Sequence, residues 1–77
     1  MEIKVLGPGC ANCKKLEANV FEAVSQLDVD ADIQKIEDIQ EIMSYGILST
    51  PGLVVNGKVK VSGKVPSVAE IKAILEG

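Results

Sequence analysis

Gly7-Pro8-Gly9-Cys10-Ala11-Asn12-Cys13-Lys14 holds both cysteines of the chain, three positions apart, where one hydrophobic pattern gives way to another. Before it, Ile3-Lys4-Val5-Leu6 is a short apolar run that reads as a strand over Glu2 to Leu6. Gly7-Pro8-Gly9 ends that strand, because glycine and proline turn a chain. After it, Leu16, Val20, Ala23, Val24 and Leu27 recur at spacings of three and four, one apolar face of a helix from Ala11 to about Leu27. A dithiol at a strand-to-helix turn is either a redox centre or a soft-metal clip.

The rest of the chain supplies the frame. Ala31 to Ile36 alternates, with Ala31 and Ile33 on one face, and predicts a second strand at an edge or half exposed. A strand, a crossover helix and a second strand make a right-handed parallel unit. Asp38 followed by Glu41 predicts a capping box for a second helix, with Ile39, Ile42 and Met43 as its apolar face and Gly46 as its stop. Gly52 to Val55 reads as a third strand. Asn56-Gly57 is a strong hairpin signal leading into a fourth strand, Lys58 to Ser62. There Val59 and Val61 are expected to face inward and the lysines outward, which also discourages edge-to-edge pairing. Ser67 with Glu70 predicts a second capping box, opening a last helix whose apolar face is Val68, Ile71, Ile74 and Leu75.

Composition bounds the function. Seventy-seven residues predict one domain over 1–77. A chain this short buries only about 60–65% of its unfolded surface, so its stability margin is thin. Phe21 and Tyr45 are the only aromatics, too few for a platform that stacks single-stranded nucleic acid. Eleven acidic against eight basic residues leave a net charge of -3, which also argues against nucleic acid. There is no basic-then-apolar leader pattern and no long apolar run, so we expect neither export nor membrane insertion. In a reducing cytoplasm, the expected location, a C-x-x-C pair serves catalysis or metal binding more often than stability. A disulfide across so short a loop contributes at most roughly 2 kcal/mol by chain entropy.

The element order β-α-β-α-β-β-α, the C-x-x-C after strand one and the Thr50-Pro51 pair before strand three together resemble the thioredoxin fold. The stretch Tyr45-Gly46-Ile47-Leu48-Ser49-Thr50-Pro51-Gly52-Leu53-Val54-Val55 is similar to the thioredoxin segment that leads into its cis-proline. The small size resembles glutaredoxins and minimal thioredoxin-like redox-active disulfide proteins. The resemblance implies an α/β minimal thioredoxin fold, a four-stranded mixed sheet flanked by three helices. It implies a thiol-disulfide oxidoreductase that reduces protein disulfides, served by a reductase such as a thioredoxin-reductase-like flavoenzyme. It needs no bound cofactor beyond the Cys10–Cys13 dithiol, and we expect a monomer.

Thiolate chemistry assigns the expected roles. The first turn of a helix presents free N–H groups and the positive end of the dipole. With Lys14 nearby, this should lower the Cys10 thiol from its reference of about 8.5. Cys10 is then the nucleophile and Cys13, deeper and one turn on, resolves the mixed disulfide. Gly9, Ala11, Asn12, Thr50 and Pro51 are the expected substrate contacts, the last two carried over from the resemblance. Lys4 departs from it: thioredoxins commonly bury an acidic residue six positions before the first cysteine, so Lys4 is at most a modulator of thiol ionisation. Gly9 likewise stands where thioredoxins have tryptophan. The segment Ser62 to Ser67 lacks the Gly-Gly-Asp stretch of many glutathione-binding glutaredoxins, and we expect little or no use of glutathione.

Two other readings compete. In a heavy-metal-associated module Cys10 and Cys13 would ligate Cu(I) or Zn²⁺. Such modules follow a β-α-β-β-α-β order and carry methionine where Pro8 stands. A closed zinc site also needs about four ligands, and this chain has two cysteines and no histidine. In a non-catalytic interaction module the cysteines would be small core hydrophobes, a poor fit to a glycine-rich helix start.

Overall fold

A computed structural model describes residues 1–77. Its elements are β1 (Glu2–Leu6), α1 (Ala11–Leu27), β2 (Asp32–Ile36), α2 (Ile39–Ser44), β3 (Gly52–Val55), β4 (Lys58–Ser62) and α3 (Val68–Glu76). The sheet order is β2-β1-β3-β4. β1 runs parallel to β2 and antiparallel to β3, and β4 closes the sheet as a hairpin on β3. This is the α/β architecture expected from the sequence, a four-stranded mixed sheet with three helices. It excludes the element order of a heavy-metal-associated module. No helix is long and apolar enough to cross a membrane.

Side-chain parity along β1 divides the molecule. Ile3 and Val5 point to one face of the sheet, where they meet Leu53 and Val55 of β3, Leu16, Val20 and Ala23 of α1, and Ile71 and Leu75 of α3. Leu6 points to the other face and meets Val54, Ile42 of α2 and Ile47. β1 and β3 are covered on both sides, which is why they read as nearly continuous apolar runs. β2 is an edge strand, mostly exposed, as its alternation predicted. The Asn56-Gly57 turn takes positive φ at both residues, 51° and 83°, as a tight hairpin of this twist requires. Asn56 also clamps β1: its N–H donates to the Glu2 carbonyl (2.7 Å), and the Glu2 N–H donates to its Oδ1 (2.9 Å).

Two local expectations need correction. Val59 does not face inward; it is 39% exposed. A bulge between Leu53 and Val54 pairs Leu53 with Val61 but Val54 with Val59. The extra residue in β4 breaks the period of two, so the two valines fall on opposite faces, and only Val61 packs on the larger core. The capping box at α2 is half formed. The Asp38 carboxylate accepts from Gln40 N–H (3.0 Å), whereas Glu41 stays exposed and does not reach back. The box at α3 is complete: Ser67 Oγ accepts from Glu70 N–H (3.1 Å) and Glu70 Oε1 from Ser67 N–H (3.0 Å).

Candidate active site

The dithiol lies where β1 hands the chain to α1. Gly7 extends the β1–β2 pairing by one residue, its N–H donating to the Ile36 carbonyl at 2.9 Å. It is buried, and a Cβ there would overlap Cys13 Sγ and come within 3.0 Å of Cys13 Cβ. The constraint is space, not torsion: only glycine lets the strand end pass so close to the buried cysteine. Gly9 takes φ +94°, a left-handed turn that swings the chain into the helix, and a Cβ on it would lie 3.6 Å from the Glu37 carboxylate. Glu37, at the end of β2, is the carboxylate found beside this loop, and spacing along the sequence does not reveal it.

Cys10 is the N-cap of α1, exposed, with extended backbone (φ -69°, ψ 169°). Its Sγ accepts the Cys13 N–H at 3.2 Å, so one of the helix's unpaired donors points at this sulfur. Cys13 is 2% exposed and lies inside the first turn. The two form a disulfide across a Cα–Cα distance of 5.0 Å, within the span such a bond allows. One sulfur is thus open to a partner and the other is sheltered. Ala11, Asn12 and Lys14 are exposed around the opening.

Thr50 and Pro51 arrive from the far side of the sheet. The peptide bond between them is cis. Pro51 is buried, and its Cβ lies 3.9 Å from the position of a Gly7 Cβ, so it backs the same spot as Cys13. Its carbonyl accepts the Gly63 N–H at 2.8 Å. Thr50 is exposed, and neither its N–H nor its C=O bonds to another backbone group of the chain. An exposed, unpaired peptide group beside a dithiol can pair with an extended segment of another chain.

Lys4 sits on the α2 face of β1. Its ammonium donates to the Tyr45 hydroxyl at 3.0 Å, lies 5.7 Å from the centre of that ring and 3.8 Å from the Glu2 carboxylate, and contacts neither sulfur. The hydrogen bond to Tyr45 raises its pKa above the ordinary lysine value, against a partial desolvation; the Glu2 and Glu41 charges add to the rise. No ionisable side chain is fully buried under the dithiol. Nor does any group of three or more His, Cys, Asp or Glu side chains come together to hold a metal. Cys10 and Cys13 are the chain's two cysteines, and it has no histidine.

The largest concavity, about 540 Å³ between β4 and α3, shares no residue with this site. A second, of about 290 Å³, ends at Thr50. Residue type and spacing pointed to the dithiol, and the thioredoxin resemblance pointed to the Thr50-Pro51 pair. Neither revealed Gly7, whose importance depends on how closely the end of β1 approaches α1.

A family model described as a thioredoxin domain matches residues 1–76. A thioredoxin of Methanothermobacter thermautotrophicus is 47% identical over 75 residues, spanning 97% of this chain and 97% of that protein. A thioredoxin of Methanocaldococcus jannaschii is 39% identical over 74 residues, spanning 96% of this chain and 85% of that one. A second thioredoxin of the same organism is 30% identical over 70 residues, with 87% and 82% covered.

Proposed function

The chain belongs to the thioredoxin domain family, and from that membership we propose that it reduces disulfides of client proteins, with Cys10 attacking and Cys13 resolving. Thiol-disulfide oxidoreductase activity follows from the family and from the C-x-x-C disulfide. Members of this family act on disulfide-containing substrates and are served by a reductase. The division of labour between the two cysteines is our reading. It rests on one observation: Cys10 is exposed and caps the helix, its sulfur accepting the Cys13 N–H, while Cys13 is buried.

The step runs as follows. The Cys10 thiolate, favoured by the donors at the helix start, attacks one sulfur of a client disulfide. A Cys10–client bond forms, the client S–S bond breaks, and the departing client sulfur takes a proton. The Cys13 thiolate then attacks Cys10 Sγ. The second client sulfur leaves as a thiol, and Cys10–Cys13 closes. Two electrons and two protons have passed to the client, and a reductase of the thioredoxin-reductase-like flavoenzyme class returns them.

In this reading Thr50 offers its free peptide group to an extended client segment, while Gly9, Ala11, Asn12 and Pro51 shape the opening. Lys14 adds positive charge near Cys10. Lys4, held by Tyr45 and Glu2, acts on the thiols only through its field. The protein works as a monomeric, single-domain carrier in the cytoplasm, without glutathione.

Titration of the protein against a thiol redox buffer, read by mass after alkylation with bound metal measured in the same sample, tests the proposal. A reversible two-electron couple in metal-free protein is expected. Stoichiometric copper or zinc without a reversible couple would instead establish a metal module. Cys13→Ser should accumulate client adducts on Cys10; adducts on Cys13 in the Cys10→Ser variant instead would reverse the two roles.

A further inference from the structure

β4 is an edge strand, so one row of its backbone N–H and C=O groups has no strand beside it. No backbone bond outside the β3–β4 ladder involves Lys58 to Ser62. The bulge sets what accompanies that open row. Lys58 lies opposite Val55, which faces the core under α3. Lys60 is the extra residue of the bulge, and with Ile74 of α3 it lines two adjoining concavities. The larger, of about 540 Å³, adds Lys64, Val61, Val65 and Ala73. The smaller, of about 200 Å³, adds Lys58. Together they make one groove between β4 and α3 that holds both aliphatic and lysine side chains.

The charge along this groove has one sign. Three of the chain's eight basic residues, Lys58, Lys60 and Lys64, fall on it, and no acidic residue lies between Glu41 and Glu70. None of the three makes an ion pair; the pairs present are Lys4–Glu2 and Lys35–Glu17. Glu70 is the one acidic side chain lining the groove, and its carboxylate is engaged by the Ser67 N–H. In a chain of net charge -3, this flank is a local excess of positive charge. Lysines along an open edge repel a second copy of the same edge. They attract a strand that carries carboxylates.

We propose that β4 and the groove beside it dock an extended acidic segment of a partner protein. The segment adds a fifth strand to the sheet, places its carboxylates on Lys58, Lys60 and Lys64, and sets an aliphatic side chain against Val61 and Ile74. Main-chain bonds supply affinity and the side chains supply selectivity. The larger concavity shares no residue with the dithiol site, and Lys58 lies beside Val55, whose other neighbour Ile3 is at the start of β1 rather than at the end that leads to Cys10. A partner docked here therefore leaves Cys10 open, and the docking does not depend on the reductase reading.

A blocked hexapeptide alternating glutamate with valine tests this, followed by amide shifts of the reduced, isotope-labelled protein. Saturable shifts are expected on Lys58 to Ser62 and along α3, with the Cys10 and Cys13 amides unmoved. The glutamine–valine peptide should bind about tenfold more weakly, since three exposed ion pairs each contribute about twofold, and the difference should fade near 1 M salt. Replacing Lys58, Lys60 and Lys64 together by glutamine should remove the same tenfold, whereas Lys15→Gln, on exposed α1 surface, keeps it. Of the two peptides N-methylated on alternate residues, the one that loses its edge-facing donors should fail to bind; equal binding by both would overturn strand addition. Absence of saturable shifts at millimolar peptide, or shifts centred away from β4, would overturn the docking site. Lysine-dependent binding to vesicles of half phosphatidylserine without any peptide shift would assign the patch to a lipid surface instead. A dimer in sedimentation that the triple glutamine variant dissolves would place a second copy there and overturn the assignment to a partner protein. Saturating peptide should leave the rate at which the protein reduces a small aromatic disulfide unchanged, and a fall in that rate would overturn the claim that Cys10 stays open. A protein that binds the peptide but reduces no disulfide would keep the docking site and lose the reductase reading.

Discussion

Gly7 shows how much of the site depends on an atom that is missing. A methyl group there would overlap Cys13 Sγ, and the neighbouring Cβ stands only 3.0 Å away. Gly7→Ala is therefore expected to cost about 1–3 kcal/mol, the range for overpacking a filled site. The loss should be larger in the oxidised protein, where Cys13 is tethered to Cys10 and cannot swing aside; urea unfolding of both redox forms measures it. Lys4 gives a prediction with a defined pH window. Its pKa is raised chiefly by the hydrogen bond to Tyr45, so its stabilising contribution is fully present below the ordinary value of 10.5 and is lost as pH rises through the higher folded value. Tyr45→Phe should bring the Lys4 titration, followed by NMR, down towards 10.5. The stability gap between the two proteins should be flat at neutral pH and close in strong alkali. The two cysteines were legible in the sequence because their chemistry resides in residue type and spacing. Gly7 and the Lys4–Tyr45 pair were not, because each depends on which face of β1 meets which neighbour.

Among the elements, α3 has the better-capped start. Ser67→Ala removes the side-chain acceptor for Glu70 N–H and should cost about 1 kcal/mol in thermal or urea unfolding. The hydrogen bonds to Ser67, backbone first, hold the Glu70 carboxyl below its ordinary value. Their contribution is present above the ordinary glutamate pKa of 4.5 and disappears as pH falls through the lower folded value. Glu70→Gln should thus narrow its stability deficit on acidification. The element order and both cap positions were legible from periodicity and from Ser/Asp followed by Glu. The bulge in β4 was not, since an inserted residue leaves the letters Val59 and Val61 unchanged while moving them to opposite faces. The incomplete box at α2 was also hidden: an aspartate cap is short enough to bond Gln40 N–H and leave Glu41 in solvent.

Taken whole, the molecule is unevenly filled. Nine buried residues form the core under α1 and α3, and four form the one under α2. With six residues and one buried side chain, α2 is the least anchored helix. Hydrogen exchange should show its amides opening locally, well below the free energy at which β1 and β3 exchange; equal protection throughout would contradict this division. The clamp by Asn56 on Glu2 has a further consequence for synthesis. β1, made early, occupies the middle of the sheet, yet its antiparallel partner and the residue that clamps it come some fifty positions later. Such long-range pairing delays closure of the sheet. While the chain is still being made, both thiols leave the ribosome before Pro51 does. Pro51, which backs the same spot as Cys13, follows the two cysteines by about forty positions, so the shelter of the inner sulfur is completed only when β3 joins the sheet.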